Sequence, residues 1–327
     1  MSNCRELYLP SRAKLNLVLR IVGRRDDGYH LLDSLFHTLA LHDDVVVAHT
    51  PESSRDGIAI DVTADHERLL VPADDSNLAV KAMALVRAEL GQQASGAFHI
   101  RLHKRIPNGG GLGGGSSNAA AVLRLSNRLL GDIINEHRLQ ALGATLGADV
   151  PFFLRGGSQW GRGIGTELHP ADAIEARFVL LVPPYGCGTV EVYKKHAALW
   201  RDRKRADTVP SITVPENWDS AVGIGFCNEL EDAAEQVRPE LGRLRRAVAE
   251  AGYAHARMSG SGSTLFVAVP DEGSAQQCQR HLRRALAQTE HRDVSFVQTT
   301  SGPAIDVDQP SSQIPATLRH HPPDPLC

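Results

Sequence analysis

The first regular pattern along the chain is an alternation. Ala13, Leu15, Leu17, Leu19 and Ile21 are interleaved with Lys14, Asn16, Val18, Arg20 and Val22. A period of two is that of a half-buried strand, and it places Lys14 and Asn16 on one face. Arg24-Arg-Asp-Asp-Gly28 then reads as a turn. Further strands are expected over 44–48, 57–62 and 98–103. Leu78, Ala82, Leu85, Val86 and Leu90 recur at helical spacing, which predicts a helix over 77–90 with Ser76 or Asn77 as its cap. Helical spacing returns over 119–130 and again over 136–146, the last closing at Gly147.

After Trp160-Gly-Arg-Gly-Ile-Gly165 the texture changes. Residues 178–182 form a wholly apolar strand, and 201–219 are charged, proline-dotted and loop-like. The pattern then predicts helices over 229–237 and 241–251, a strand, a Gly/Ser turn, a strand over 265–269, a helix over 274–288 and a strand over 294–299. That order suits a small α+β sandwich. The expected division is a first domain over 1–170, a second over 171–300, and a proline-rich, disordered tail over 301–327. There is no internal repeat.

Composition narrows the class. Of 327 residues, 42% are hydrophobic and 22% charged, enough to bury a real core. The net charge is −3 and the pI about 6.6, so no global basic field attracts nucleic acid or an anionic membrane. Aromatics at 5% also argue against a base-stacking surface for nucleic acid. The five cysteines are scattered and form no C-x-x-C pair, which points to neither a disulfide framework nor a zinc knuckle. Residues 1–10 lack an apolar signal core, and no stretch approaches the roughly 18 apolar residues of a membrane span. A cytoplasmic, reduced protein is expected.

The strongest chemical signal is glycine. Gly109, Gly110, Gly111, Gly113, Gly114 and Gly115, with Leu112 among them, stand between a predicted strand and a predicted helix. Glycine permits positive φ and close backbone approach, so consecutive amides can point into one concavity. The helix beyond adds its positive dipole end, with Ser116, Ser117 and Asn118 at its start. Such a device binds phosphate; the plainer reading is a flexible surface loop with a serine cap. No Gly-Lys-Ser/Thr closes the loop, so it is not of the Walker type. Gly109, Gly111 and Gly114 match G-x-G-x-x-G, but a dinucleotide fold needs a second strand ending in an acidic residue about 20 residues on. A helix follows here instead.

Three segments together resemble the GHMP kinases, the family of galacto-, homoserine, mevalonate and phosphomevalonate kinase. Pro107-Asn-Gly-Gly-Gly-Leu-Gly-Gly-Gly-Ser-Ser-Asn118 looks like their central phosphate loop, Ala13-Lys-Leu-Asn-Leu17 like their first motif, and Met258-Ser-Gly-Ser-Gly-Ser263 like their third. Arg25-Asp-Asp-Gly-Tyr-His30 and Leu146-Gly-Ala-Asp-Val-Pro-Phe-Phe153 are similar to hallmarks of the branch acting on an alcohol that carries cytidine diphosphate, in non-mevalonate isoprenoid synthesis. The resemblance covers roughly residues 10–300. It implies an α+β fold of two domains, an N-terminal ribosomal-protein-S5-like domain and a C-terminal ferredoxin-like α/β sandwich, with the site in the cleft between them. It also implies ATP and Mg2+, the metal's ligands being unassigned beyond Ser116 or Ser117.

The resemblance gives the residues roles. Lys14 and Asp149 match the catalytic pair, a carboxylate to accept the substrate hydroxyl's proton and an ammonium to orient it. The plainer readings are a charge on the wet face of a strand and a polar residue in the turn before Pro151. Pro107 and the 109–118 run match the ATP-phosphate site. Tyr29 and His30 resemble the residues holding the cytosine, with Tyr193 as the opposite aromatic face; a packed edge after a turn is the alternative. Asn16, Thr189, Gly260, Ser261 and Gly262 match substrate-side contacts, against a strand-face polar group and a simple hairpin turn.

The expected reaction is transfer of the ATP γ-phosphate to the 2-hydroxyl of a methylerythritol bearing cytidine diphosphate. A GHMP kinase for another small alcohol, or a non-catalytic nucleotide-binding regulator, is the alternative. Gln159-Trp160 and Gly188 depart from the family pattern in segments expected to border the substrate, and so bear on its identity. Oligomeric state is not legible.

Overall fold

The computed structural model describes residues 4–51, 53, 57–172, 174–200, 225–304, 314–315 and 318. The loop expected over 201–219 lies outside them, as do most residues of the expected tail.

Two long strands, β1 (Arg5–Arg24) and β2 (His30–Thr50), form an antiparallel hairpin around the turn at 26–28. β3 (Gly57–Ala64) pairs parallel with β4 (Ala97–Lys104), which pairs antiparallel with the second half of β2. The first half of β2 instead pairs with β5 (Ser158–Arg162), and β5 with β6 (Glu167–Pro170). On the far edge β1 takes a parallel partner, β8 (Cys227–Asn228), completing seven strands. Among the described residues, four helices belong to this half: α1 (Leu78–Leu90), α2 (Gly114–Leu129), α3 (Glu136–Leu146) and α4 (Val150–Arg155). Their apolar faces share one core with Val45, Val47, Phe98, Ile100 and Leu102 of the sheet.

The second sheet runs β11–β7–β10–β9, all antiparallel. Its strands are β7 (Arg177–Val182), β9 (Arg257–Met258), β10 (Leu265–Val269) and β11 (Ser295–Thr300). With it go α5 (Thr189–Trp200), α6 (Glu231–Val237), α7 (Pro239–Val248) and α8 (Glu272–Leu286). The wholly apolar run at 178–182 is explained by burial on both faces. Val179 and Leu181 face the helices, with Leu241, Leu244 and Leu282. Phe178 and Leu180 face β1, against Ala13, Leu15 and Leu17.

That packing corrects the half-buried reading of β1. Its polar face is not wet, because the glycine loop and α2 cover it, and Lys14 and Asn16 are each only 3% exposed. The segment following β11, within the stretch expected as a tail, is tied down at its start. Ser301 and Ala304 bridge to Leu39 and Gly156, and Ile314 and Leu318 are buried against Tyr8 and Val46.

Candidate active site

The glycine loop is shaped by alternate positive φ values, 68° at Gly109, 76° at Gly111 and 73° at Gly113. Its carbonyls are anchored from behind. Thr264 N donates to Gly110 O (3.2 Å), Ser259 Oγ to Gly111 O (3.0 Å), Lys14 N to Leu112 O (3.0 Å) and Ser117 N to Gly113 O (2.9 Å). A peptide's N–H points opposite its C=O, so the amides of residues 111–114 are turned towards the cleft, an anion-binding nest at a helix N-terminus. The tightness excludes side chains: a Cβ at Gly111 would stand 2.2 Å from Ser259 O, and one at Gly113 2.6 Å from Phe153 Cζ.

α2 begins at Gly114, five residues earlier than its apolar spacing predicts, and this divides the three polar residues at its start. Ser116 lines the cleft. The side chains of Ser117 and Asn118, expected to hold phosphate, turn instead to the sheet side, because each residue along a helix rotates by about 100°. Ser117 Oγ accepts from Ser11 Oγ (2.7 Å), and Asn118 Nδ2 donates to Ser11 Oγ and Asp43 Oδ2 (both 2.9 Å). Asn118 Oδ1 accepts from Lys104 Nζ (3.1 Å), itself ion-paired with Asp43. Asp43 Oδ1 in turn accepts from Arg105 N and Ile106 N, fixing the strand's exit into the loop. Their side chains brace the loop from the sheet side.

Below the loop Lys14 Nζ lies 3.8 Å from Asp149 Oδ2 and donates to Asn16 Oδ1. Asn16 Nδ2 donates to Ser34 Oγ (2.8 Å), which donates to Val18 O (2.8 Å). Burial lowers the Lys14 pKa, and the Asp149 charge opposes the shift. Asp149 is the cap residue of α4, yet its side chain makes no capping bond. Its backbone is helical rather than extended and Pro151 has no N–H to offer at the second helical position, so the usual cap geometry is absent and the carboxylate is left for other partners. The carboxylate faces Lys14 at 34% exposure, and the burial of Lys14 removes the reading of that residue as a charge on a wet strand face.

A cleft of about 850 Å³ runs over this pair, walled by Pro107 and the loop, by Ser116 and Asp149, by Tyr29 and His30, and by Thr189 and Tyr193. Gly260 and Ser261 form its far edge. Gly262 does not reach it: its φ of 90° turns it under the bend, where a Cβ would stand 2.7 Å from Met258 Sδ. Tyr29 is 62% exposed at the lip, an aromatic face open to a ring. The His30 ring stands 5.1 Å from that of Tyr193, and its pKa is lowered by burial and then by Arg24. Burial, with the Asp149 charge, raises the Tyr193 phenol, so it stays neutral. Thr189 Oγ1 and Ser261 Oγ are 2.9 Å apart, joining α5 to the glycine bend.

Gln159 and Trp160 do not line the cleft. Gln159 Nε2 donates to Phe152 O (3.2 Å) and Gly156 O (2.8 Å), so this departure from the family pattern sits behind the site. Sequence reasoning passed over Arg24, Asp27, Asn108 and Lys194, all of which line the cleft. The first two lay in the turn already read, and Asn108 in the glycine run. Lys194 was hidden because 189–200 was not recognised as a helix.

Comparison with known proteins identifies the family to which this fold belongs. Residues 77–157 match the GHMP kinases N terminal domain and residues 215–288 the GHMP kinases C terminal model. The chain is 39% identical over 277 residues to the 4-diphosphocytidyl-2-C-methyl-D-erythritol kinase of Nitrosomonas europaea, covering 82% of this chain and 90% of that one. The chain belongs to the GHMP kinase superfamily, in the 4-diphosphocytidyl-2-C-methyl-D-erythritol kinase family. Within this family the chloroplastic enzyme of Arabidopsis thaliana is also 39% identical, over 81% of this chain and 68% of its own length. A solved 4-(cytidine 5'-diphospho)-2C-methyl-D-erythritol kinase superposes with a TM-score of 0.71 at 32% identity, over 91% of this chain and all of that one. The two-domain GHMP kinase fold expected from the motifs is thus the fold observed.

Proposed function

We propose that this chain transfers the γ-phosphate of ATP to the 2-hydroxyl of 4-diphosphocytidyl-2-C-methyl-D-erythritol, a step of non-mevalonate isoprenoid synthesis. The observation that carries the reading is the Lys14–Asp149 pair under the glycine loop, with an aspartate withheld from its helix cap. The substrate oxygen bonds to the γ-phosphorus as the bond from that phosphorus to the β–γ bridging oxygen breaks and ADP leaves. Asp149 takes the hydroxyl proton. Lys14 orients the carboxylate and stabilises the negative charge growing on the attacking oxygen. The loop amides hold the phosphates, and the lip of Tyr29, His30 and Tyr193 takes the cytidine, stacking for affinity and hydrogen bonds for selectivity.

Magnesium fits this arrangement as an ion carried mainly by the nucleotide. Among the described residues no group of three or more His, Cys, Asp or Glu side chains gathers for a metal. Ser116, at the cleft, is the hydroxyl placed to join the phosphates as a ligand. When bound, the ion neutralises charge on the β- and γ-phosphates. Among the described residues no helix is long and apolar enough to cross a membrane. Cys187, Cys227 and Cys278 are free thiols, in keeping with a reducing, ATP-supplied cytoplasm.

The test is ADP release from ATP, magnesium and the cytidylylated methylerythritol. Wild-type protein should turn over only with the alcohol present, and Asp149→Ala should lose roughly 10²–10⁴-fold in kcat, the range for a lost general base. ADP release indifferent to the alcohol, or undiminished in Asp149→Ala, would sink the assignment.

A further inference from the structure

The segment Asn228-Glu-Leu-Glu231 touches none of the reacting groups, yet each of its polar side chains is spent on the backbone of a site element. Glu229 Oε2 accepts from Ile21 N (2.7 Å), and Glu229 N donates to Leu19 O (3.0 Å), fastening the segment to β1. Glu231 Oε1 accepts from Met258 N (2.9 Å). Asn228, 5% exposed, donates through Nδ2 to both Met258 O and Gly260 O (2.7 Å each), while its Oδ1 accepts from Leu230 N (2.9 Å). Both amide protons and the carbonyl are thereby used. β1 also carries Lys14, and residues 258–260 lead into the glycine bend. One short segment therefore sets the spacing between the lysine strand and the bend.

That spacing is close. Gly260 adopts φ 57°, and a Cβ there would stand 3.2 Å from Lys14 Nζ and 3.4 Å from Asn16 Oδ1. We propose that Asn228 is a positioning residue for phosphoryl transfer: its carboxamide pins the Gly260–Ser261 backbone over Lys14 Nζ, keeping that ammonium dry and aimed at Asp149. The inference rests on the reaction proposed for this cleft. Without the two donations the bend is free to lift by a fraction of an ångström. Lys14 gains water, and the pair under the phosphates loses its alignment. Misplacement of about 1 Å costs on the order of 10²-fold in rate.

The experiment pairs turnover with direct titration of Lys14. In full-length Asn228→Ala, kcat should fall about 10–100-fold, with the dissociation constant of a fluorescent ATP analogue within about threefold of wild type. In protein labelled at lysine 13Cε, with the Lys14 signal assigned through Lys14→Arg, the Lys14 titration midpoint should rise towards that of an exposed lysine. A purely structural role would weaken nucleotide binding in step with kcat and leave the Lys14 midpoint where it was, and either that result or an unchanged kcat overturns the proposal. Asn228→Asp keeps the acceptor for Leu230 N and loses both donations. If Asn228→Ala does not fold, Asn228→Asp must lose kcat with nucleotide binding retained, and wild-type kcat in it overturns the proposal. Should wild-type protein not turn over the cytidylylated alcohol, the substrate assignment fails, while the Lys14 titration still reads the clamp.

Discussion

Burial alone pushes a proton off Lys14, and the Asp149 carboxylate 3.8 Å away pulls it back. Two unit charges about 4 Å apart attract by about 4 kcal/mol at an effective dielectric near 20, and full burial of a lysine shifts it by up to about 3–5 units. The two are of similar size, and the net direction is downward from 10.5, so burial wins. The consequences for activity and stability have opposite signs. Turnover by the proposed reaction needs the ammonium, and should fall as pH rises through the lowered pKa. The unfolded chain holds its lysine proton to higher pH, so Lys14 contributes more stability as pH rises through that same window. The kcat profile should therefore show an alkaline limb below pH 10.5. Lys14→Arg, whose guanidinium keeps its proton, should retain a residual kcat without that limb. A flat profile to pH 10.5, or an identical limb in Lys14→Arg, would refute this account.

At the scale of one element, α2 separates two jobs within three residues. Ser116 faces the cleft, while Ser117 and Asn118 face the Ser11–Asp43–Lys104 network. Ser117→Ala should leave the KM for ATP within about threefold and remove one buried hydrogen bond, about 1 kcal/mol, lowering Tm by about 2–4 °C. Ser116→Ala should do the reverse, raising the KM with Tm unchanged, and Michaelis kinetics beside thermal melts on both variants decide it. An exchange of the two patterns would return phosphate binding to Ser117. The same helix shows what the sequence could and could not disclose. α3 was legible at both ends because its signals are local, Asn135 Oδ1 accepting from Arg138 N and Gly147 closing it. The start of α2 was not, because glycine carries no apolar periodicity. The first half of β2 was missed because Leu31-Leu32, Asp33-Ser34, Leu35-Phe36 and His37-Thr38 come in like pairs, which breaks the period of two. α5 was missed because it sits between a Pro/Gly cluster and a charged stretch. The motifs placed Lys14, Asp149, Tyr29 and Tyr193 in one cleft. Their spacing could not say which neighbours turn inward, since that depends on helix phase set by packing.

Across the whole molecule, the two sheets are joined at a buried histidine. His37 on β2 has Nδ1 2.9 Å from Ser158 Oγ of β5 and Nε2 2.9 Å from Ser301 Oγ, just beyond β11. Ser301 Oγ also donates to Ile174 O (2.6 Å) and accepts from Ala176 N (2.9 Å), ahead of β7. The ring packs 5.8 Å from Phe178, in the apolar layer between the sheets. Burial pushes its pKa down from 6.5 to about 4. The folded joint therefore needs the neutral ring, whereas the unfolded chain takes up a proton near 6.5. The stability this provides is complete above pH 6.5 and is lost as pH falls towards 4, amounting to about 3 kcal/mol at 1.36 kcal/mol per unit. Other histidines shifted the same way, among them His49 and His291, add to the acid slope of the wild type, so the informative quantity is a difference. His37→Gln keeps a group able to bond both serines and removes the titration. Urea unfolding of the two proteins at intervals from pH 7 to pH 4 should give free energies that converge as the pH falls, the wild type losing stability faster. Parallel curves would mean that the ring is not buried neutral at the joint, and that the sheets are held together by their apolar layer alone.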